Sequence, residues 1–179
     1  MRLARYDRVN PTKEQRRAFD CGERTLDRWL ATQARQSMET RDAATYLLLD
    51  DDEGSRIAGY YCLSAGEISR EAAPPGVAKR APAPIPVILM GRFAIDRRYQ
   101  KQGWGADLLR EALGSAVEAT QLIGGRALLA DAINASAKSF YLRFGFERSP
   151  IHPMQLLYDL RTVALSALDE TPLDETRPP

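Results

Sequence analysis

The chain has 179 residues, 44% of them hydrophobic and 27% charged, and a net charge of +1; this is ordinary globular composition, sized for one domain with a sizeable core. No apolar run approaches the roughly 20 residues that span a bilayer, and the near-zero charge argues against indiscriminate coating of nucleic acid. MRLARYDRVN shows no apolar stretch with a cleavage site, so cytoplasm is expected, and Cys21, Cys62 and the single His152 offer no metal-ligand spacing, so no metal is expected.

Charge is unevenly spread. Basic residues lead the first forty positions (Arg2, Arg5, Arg8, Lys13, Arg16 and others), whereas the chain after Asp159 is mostly acidic. Leu26, Trp29, Leu30 and Ala34 fall at helical spacing and predict a helix from Glu23 to Ser37 with an Arg-bearing opposite face. Ala44–Leu49 and Arg56–Ser64 are β-rich runs separated by the turn Asp50-Asp-Asp-Glu-Gly54, which predicts a hairpin. Five prolines between Arg70 and Pro86 predict a long exposed loop.

Pro86–Ile95 then reads as a buried strand in which Gly91 permits a bulge or a close backbone approach. A glycine-containing turn leads into a helix from Trp104 to about Gln121, with Leu108, Leu109, Ala112, Leu113, Ala116 and Val117 on one face. Ala127–Ala132 predicts a strand, Ala135–Phe144 a helix ended by Gly145, and Gln155–Leu160 a last strand. The order is mixed α/β. Thr171–Pro179 has little to bury and is expected to be disordered.

The most informative segment is Gln100-Lys-Gln-Gly-Trp-Gly-Ala106, between a strand and a helix. Its glycines allow backbone N–H groups to converge at a helix N-terminus, where orphan donors and the positive end of the helix dipole favour a phosphate or pyrophosphate. Capping and packing alone would also account for them. No Gly-Lys-Ser/Thr closes a Walker loop, and the two glycines do not complete a three-glycine dinucleotide fingerprint.

The segment resembles the acyl-CoA pyrophosphate loop of GNAT acetyltransferases, Gln/Arg-x-x-Gly-x-Gly/Ala, through Gln100, Gly103 and Gly105. Gly91-Arg-Phe-Ala-Ile-Asp96 is similar to that family's central strand, and Asn134 with Ala135-Ser-Ala-Lys-Ser-Phe-Tyr-Leu-Arg-Phe-Gly-Phe146 to its second conserved region. The resemblance implies the GNAT fold, a mixed, mostly antiparallel sheet flanked by helices, over a single domain 1–162 followed by a flexible tail 163–179. It implies acetyl-CoA as co-substrate, held by Phe93, Ala94, Ile95, Gln100, Lys101, Gln102, Gly103, Trp104, Gly105, Ala106 and Asn134. It also implies Tyr141 as the acid that protonates the departing thiolate. Asn134 is equally ordinary as a helix N-cap, and Phe140, Phe144 and Phe146 read as packing residues.

In acyl transfer a neutral amine attacks the thioester carbonyl, and the tetrahedral oxyanion collapses to amide and thiol. Backbone donors near Phe93 and Ala94 suit the carbonyl, and the Tyr141 phenol suits the sulfur. No carboxylate or histidine is well placed as a base: Glu67 reads as a base or as a solvated strand end, and His152 sits in a loop beside Pro150 and Pro153. A substrate amine with a substantial neutral fraction near pH 7 fits, and an α-amine with a pKa of about 8 fits better than a lysine at about 10.4.

Phe19-Asp-Cys-Gly-Glu-Arg-Thr-Leu-Asp-Arg-Trp-Leu30, Tyr60–Ser64, Lys79–Pro86 and Leu89–Arg92 resemble a narrower GNAT branch. That branch comprises toxins that acetylate the α-amine of aminoacyl-tRNA and are inhibited by ribbon-helix-helix antitoxins. The resemblance implies those partners; a homodimer stands beside them as an assembly that the sequence leaves open. Arg28, Arg35, Lys79, Arg80 and Arg92 are candidates for a cationic tRNA track, or solvated surface charges. The other readings are a GNAT enzyme acting on a small amine or a protein N-terminus, and a non-catalytic CoA-binding interaction module.

Overall fold

A computed structural model describes residues 1–163, so the tail expected over 163–179 lies, apart from its first residue, outside the described residues. In chain order the elements are strand β1 (Arg2–Arg5), helices α1 (Tyr6–Val9), α2 (Lys13–Arg17), α3 (Arg24–Thr32) and α4 (Ala34–Glu39), and strands β2 (Ala44–Asp50) and β3 (Arg56–Ile68). Helix α5 (Pro75–Ala78), strand β4 (Ile85–Ile95), helix α6 (Trp104–Ile123), strand β5 (Ala127–Asp131), helix α7 (Ala135–Arg143) and strands β6 (Glu147–Arg148) and β7 (Gln155–Asp159) complete them.

The seven strands join in the order β1-β2-β3-β4-β5-β7-β6. β4 and β5 run parallel, while β1 with β2, β2 with β3, β5 with β7 and β6 with β7 are antiparallel. This is the mixed, mostly antiparallel sheet that the family resemblance implies. A parallel pair requires a crossover rather than a hairpin, and α6 supplies it between β4 and β5.

Two compact units are formed, Met1–Leu63 with Arg92–Ala112, and Ser64–Gly91 with the described residues from Leu113 onward. In the first, the β2–β3 hairpin turns through the acidic segment, pairing Asp50 with Arg56, and β1 adds to the free edge of β2 in the register Arg2↔Leu49 to Arg5↔Tyr46. Its core centres on Tyr60, which stacks on Trp29 at 5.8 Å, meets Phe19 edge-on at 5.4 Å, and donates its hydroxyl to the Leu26 carbonyl at 2.9 Å. Leu30 and Ala34 complete the buried helical face.

The predicted helix Glu23–Ser37 is divided at Gln33 into α3 and α4. Thr32 supplies a reason: its Oγ1 donates to the Arg28 carbonyl at 2.8 Å, a back-bond that bends helices. β1, α1 and α2 are additional to the sequence reading. α2 carries a full capping box, in which the Thr12 hydroxyl accepts from the Gln15 N–H and the Gln15 carboxamide oxygen from the Thr12 N–H.

In the second unit the expected exposed loop over Arg70–Pro86 is instead partly structured. Residues 70–72 form a 3₁₀ turn, Pro75 occupies the first turn of α5, and Ala72, Ala73, Val77 and Ala81 are buried in a core with Ile85 and Leu157. Proline is compatible with a first helical turn because the N–H it lacks would have no partner there. The small alanines let this segment pack closely.

Candidate active site

The strand-to-helix loop is built within the first unit. β4 ends at Ile95, and the buried Asp96 carboxylate caps a 3₁₀ turn, Arg97–Tyr99, by accepting the Arg98 N–H at 3.0 Å. Two left-handed residues then reverse the chain: Lys101 has φ 62° and Gly103 φ 94°. Gly103 is the residue type that adopts such a conformation without a Cβ penalty. Its carbonyl accepts from Ala106 at 2.9 Å and Asp107 at 3.3 Å, so the backbone closes at once into the 20-residue helix α6.

The first N–H groups of a helix lack intrahelical acceptors and carry the positive end of its dipole. Here they belong to the stretch containing Trp104 and Gly105, which is half-buried, while Gln100, Lys101, Gln102 and Gly103 are exposed. That arrangement suits a pyrophosphate. The Gln100 carboxamide N–H groups point elsewhere, to the carbonyls of Cys21 and Ile95, both at 2.9 Å, and the Gln102 carboxamide donates to the Arg98 carbonyl at 2.6 Å.

Phe93, Ala94 and Ile95 lie on β4, with Phe93 half-buried and the other two buried. Gly59 on β3 explains their close approach, because a Cβ there would stand 2.7 Å from Ile95 Cδ1 and 3.0 Å from the Ala94 carbonyl oxygen. Sequence reasoning missed Gly59. A glycine inside a β-rich run was the available signal.

Asn134 and Tyr141 are placed by the second unit, on α7. Asn134 is the N-cap, its side-chain oxygen accepting from Ala137 N–H at 2.9 Å, so the capping alternative is realised. Tyr141 is two turns further on and buried, with its ring 5.4 Å from Phe140 and 5.2 Å from Phe146. Phe146 in turn contacts Tyr158 at 5.3 Å, and Phe140 contacts Phe144 at 4.9 Å, so the three phenylalanines are packing residues. Gly145, at φ 86°, turns the chain after the helix so that the Phe146 N–H reaches the Tyr141 carbonyl at 3.2 Å.

Burial pushes the Tyr141 phenol above its ordinary value, because the ring environment disfavours the phenolate. A neutral phenol is a donor, not a base. Glu67 is exposed on β3, and His152 is an exposed turn residue whose N–H donates to the Ser149 hydroxyl at 3.3 Å. Neither has an arrangement that marks a base. Among the described residues no group of three or more His, Cys, Asp or Glu side chains is disposed to hold a metal.

The basic candidates are divided between the units. Arg28 is exposed on α3, Arg35 on α4 is engaged by Glu39 at 2.7 Å, and Arg92 on β4 lies over the Trp29 ring at 5.6 Å. In the other unit Lys79 and Arg80 are exposed after α5, Arg80 with φ 54°. No helix of the described residues is long and apolar enough to cross a membrane.

Residues 42–148 match the acetyltransferase (GNAT) domain family. A tRNA-acetylating toxin of Mycobacterium tuberculosis is 37% identical over 140 residues, covering 78% of this chain and 82% of the toxin. A structure of AtaT complexed with acetyl-methionyl-tRNAfMet superposes with a TM-score of 0.80 at 28% identity, over 89% of this chain and 95% of AtaT. A mutant AtaT toxin bound to acetyl-CoA and to the C-terminus of the antitoxin AtaR superposes with a TM-score of 0.74 at 25% identity, over 95% and 98% of the two chains. The chain belongs to the GNAT acetyltransferase family.

Proposed function

We propose that this acetyltransferase moves the acetyl group of acetyl-CoA onto the α-amine of an aminoacyl-tRNA, and so acts as a translation-blocking toxin. The observation that carries the reading is the similarity over most of the chain to a tRNA-acetylating toxin and to AtaT bound to its acetylated tRNA product. Two physical features support it. The strand-to-helix loop presents the N-terminus of a long helix, which favours the pyrophosphate of acetyl-CoA, and no base is evident among the described residues, which suits an amine of pKa about 8.

In this reading the loop 100–106 holds the pyrophosphate through the backbone N–H groups of residues 102–105, and Phe93–Ile95 with Asn134 serve the pantetheine arm and the thioester. The amine attacks the thioester carbonyl and the new C–N bond forms first; Tyr141, kept neutral by burial, then gives its proton to the sulfur as the tetrahedral intermediate collapses and the C–S bond breaks. The amine proton leaves to solvent, and the phenol recovers one from it. Lys79, Arg80, Arg92, Arg28 and Arg35 contribute charge for the tRNA backbone, Arg35 least because Glu39 already engages it. A ribbon-helix-helix antitoxin as inhibitor, a homodimer, a cytoplasmic location and one catalytic domain over 1–162 belong to the same proposal.

The experiment is to incubate the protein with acetyl-labelled acetyl-CoA and either charged or deacylated total tRNA. Label should enter charged tRNA only, and less of it as salt rises, because phosphate contacts are screened and release counterions. Label that instead enters free amines or peptides, with none in RNA, removes the toxin reading and leaves an acetyltransferase of another acceptor.

A further inference from the structure

The segment Asp20–Gly22 lies far in sequence from the strand-to-helix loop, yet the two are bonded at four points. The Asp96 carboxylate, only 2% exposed, bridges them: Oδ2 accepts the Asp20 N–H at 3.0 Å and Oδ1 accepts the Arg98 N–H at 3.0 Å. The Arg97 N–H donates to the Asp20 carbonyl at 2.8 Å, and the Arg97 guanidinium meets the Asp20 carboxylate at 3.4 Å. Gln100 closes the bracket, its side-chain nitrogen donating to the carbonyls of Cys21 and Ile95 at 2.9 Å each. The segment itself is pinned in turn, because the Cys21 N–H donates to Asp27 at 2.9 Å and the Gly22 N–H to Asp20 at 2.9 Å.

The bracket acts on a stretch whose geometry is not self-sustaining. Lys101 is a non-glycine residue in the left-handed region, followed two positions later by Gly103 at φ 94°. The left-handed Lys101 persists only where surrounding contacts over-determine it, whereas Gly103 takes its φ without a Cβ penalty. A loop that must be ordered when its ligand arrives loses affinity by the cost of that ordering, and a pre-organised one does not.

We infer that Gln100 and Asp96 are positioning residues for the acyl donor: by tying the loop to the Asp20–Gly22 segment they hold the backbone N–H groups of residues 102–105 ready for the pyrophosphate. The Gln100 carboxamide serves protein carbonyls, and its action on the ligand passes through the loop. The start of the N-terminal segment Phe19–Leu30 is thereby a support for acetyl-CoA binding, whatever its remainder does toward RNA. This rests on the loop being the pyrophosphate site.

Gln100→Met keeps length and removes both donations at an exposed position, so the fold is retained. The Kd and KM for acetyl-CoA should rise about 10-fold, the effect of losing hydrogen bonds that hold a site, while kcat at saturating acetyl-CoA stays within about 2-fold. Gln100→Arg should restore affinity, because a guanidinium can donate to both carbonyls, whereas Gln100→Glu should not. Asp96→Asn should act in the same direction as Gln100→Met. Unchanged Kd in Gln100→Met, or a loss that Gln100→Arg does not recover, overturns the inference. If Gly103→Asp also leaves acetyl-CoA affinity intact, the loop itself is misassigned; if Gly103→Asp abolishes binding while Gln100→Met does not, the bracket alone fails.

Discussion

The loop at Gln100–Ala106 and the helix carrying Tyr141 prepare their functional groups by opposite means. The loop is exposed and held by polar contacts: a buried carboxylate, two carboxamides and backbone pairs place N–H groups that must stay open to a ligand. Helix α7 is held by rings, and the same packing that fixes Tyr141 removes water from its phenol and so keeps the proton on. Hydrogen bonding positions without sealing; burial positions and tunes together. Substitutions in the loop should therefore be read out chiefly in affinity, and those at Tyr141 chiefly in rate.

Gly103→Asp is the most severe test on the loop side. It demands φ 94° of a residue with a Cβ and sets a carboxylate against a pyrophosphate, so acetyl-CoA affinity should fall about 100-fold or more in calorimetry. Full affinity in a folded variant would remove this loop from the account. On the helix side, Asn134→Ala deletes the cap of α7 and should cost about 1 kcal/mol in urea unfolding. A cost near zero would mean that the cap is dispensable and that Asn134 is kept for another purpose.

The third test separates the two by pH. Because burial raises the Tyr141 pKa above its usual value of about 10, the phenol stays protonated throughout the neutral range. Transfer should climb as the substrate α-amine deprotonates near pH 8 and then hold to about pH 10; a falling limb below pH 9 would contradict a buried phenol as the acid. Stability should move the opposite way, falling at alkaline pH. Tyr60, Tyr99 and Tyr141 are all raised, chiefly by desolvation, so their contribution is intact below the unfolded value of about 10. Above it the unfolded chain releases phenolic protons first, and stability should fall as pH rises.

These two regions also differed in how far the sequence revealed them. Helix α7, its Asn134 cap, the Gly145 stop and the three packing phenylalanines were legible because every signal lies within a dozen neighbouring residues. The hairpin and α6 were legible for the same reason, as periodic runs bounded by turns. What Gln100 bonds to was not, since the Cys21 carbonyl is 79 positions away and nothing local encodes that meeting. β1 was missed because Arg-Leu-Ala-Arg is only four residues and becomes a strand by pairing with Tyr46–Leu49. α2 was different: Thr12 and Gln15 spell a capping box, and the signal was there to be used. In the stretch 70–86 the prolines hid a segment whose alanines are core, because composition reports donors lost and not surface buried.

The division of labour rests most directly on Tyr141→Phe, measured for acetyl-CoA binding and for single-turnover acetyl transfer to charged tRNA on the same sample. The ring packing survives and the proton donor is lost, so the Kd should stay within about 2-fold while the transfer rate falls by roughly 10- to 1,000-fold. A variant that transfers at the wild-type rate, or one that loses acetyl-CoA binding in step with activity, would contradict the assignment of Tyr141 as the acid.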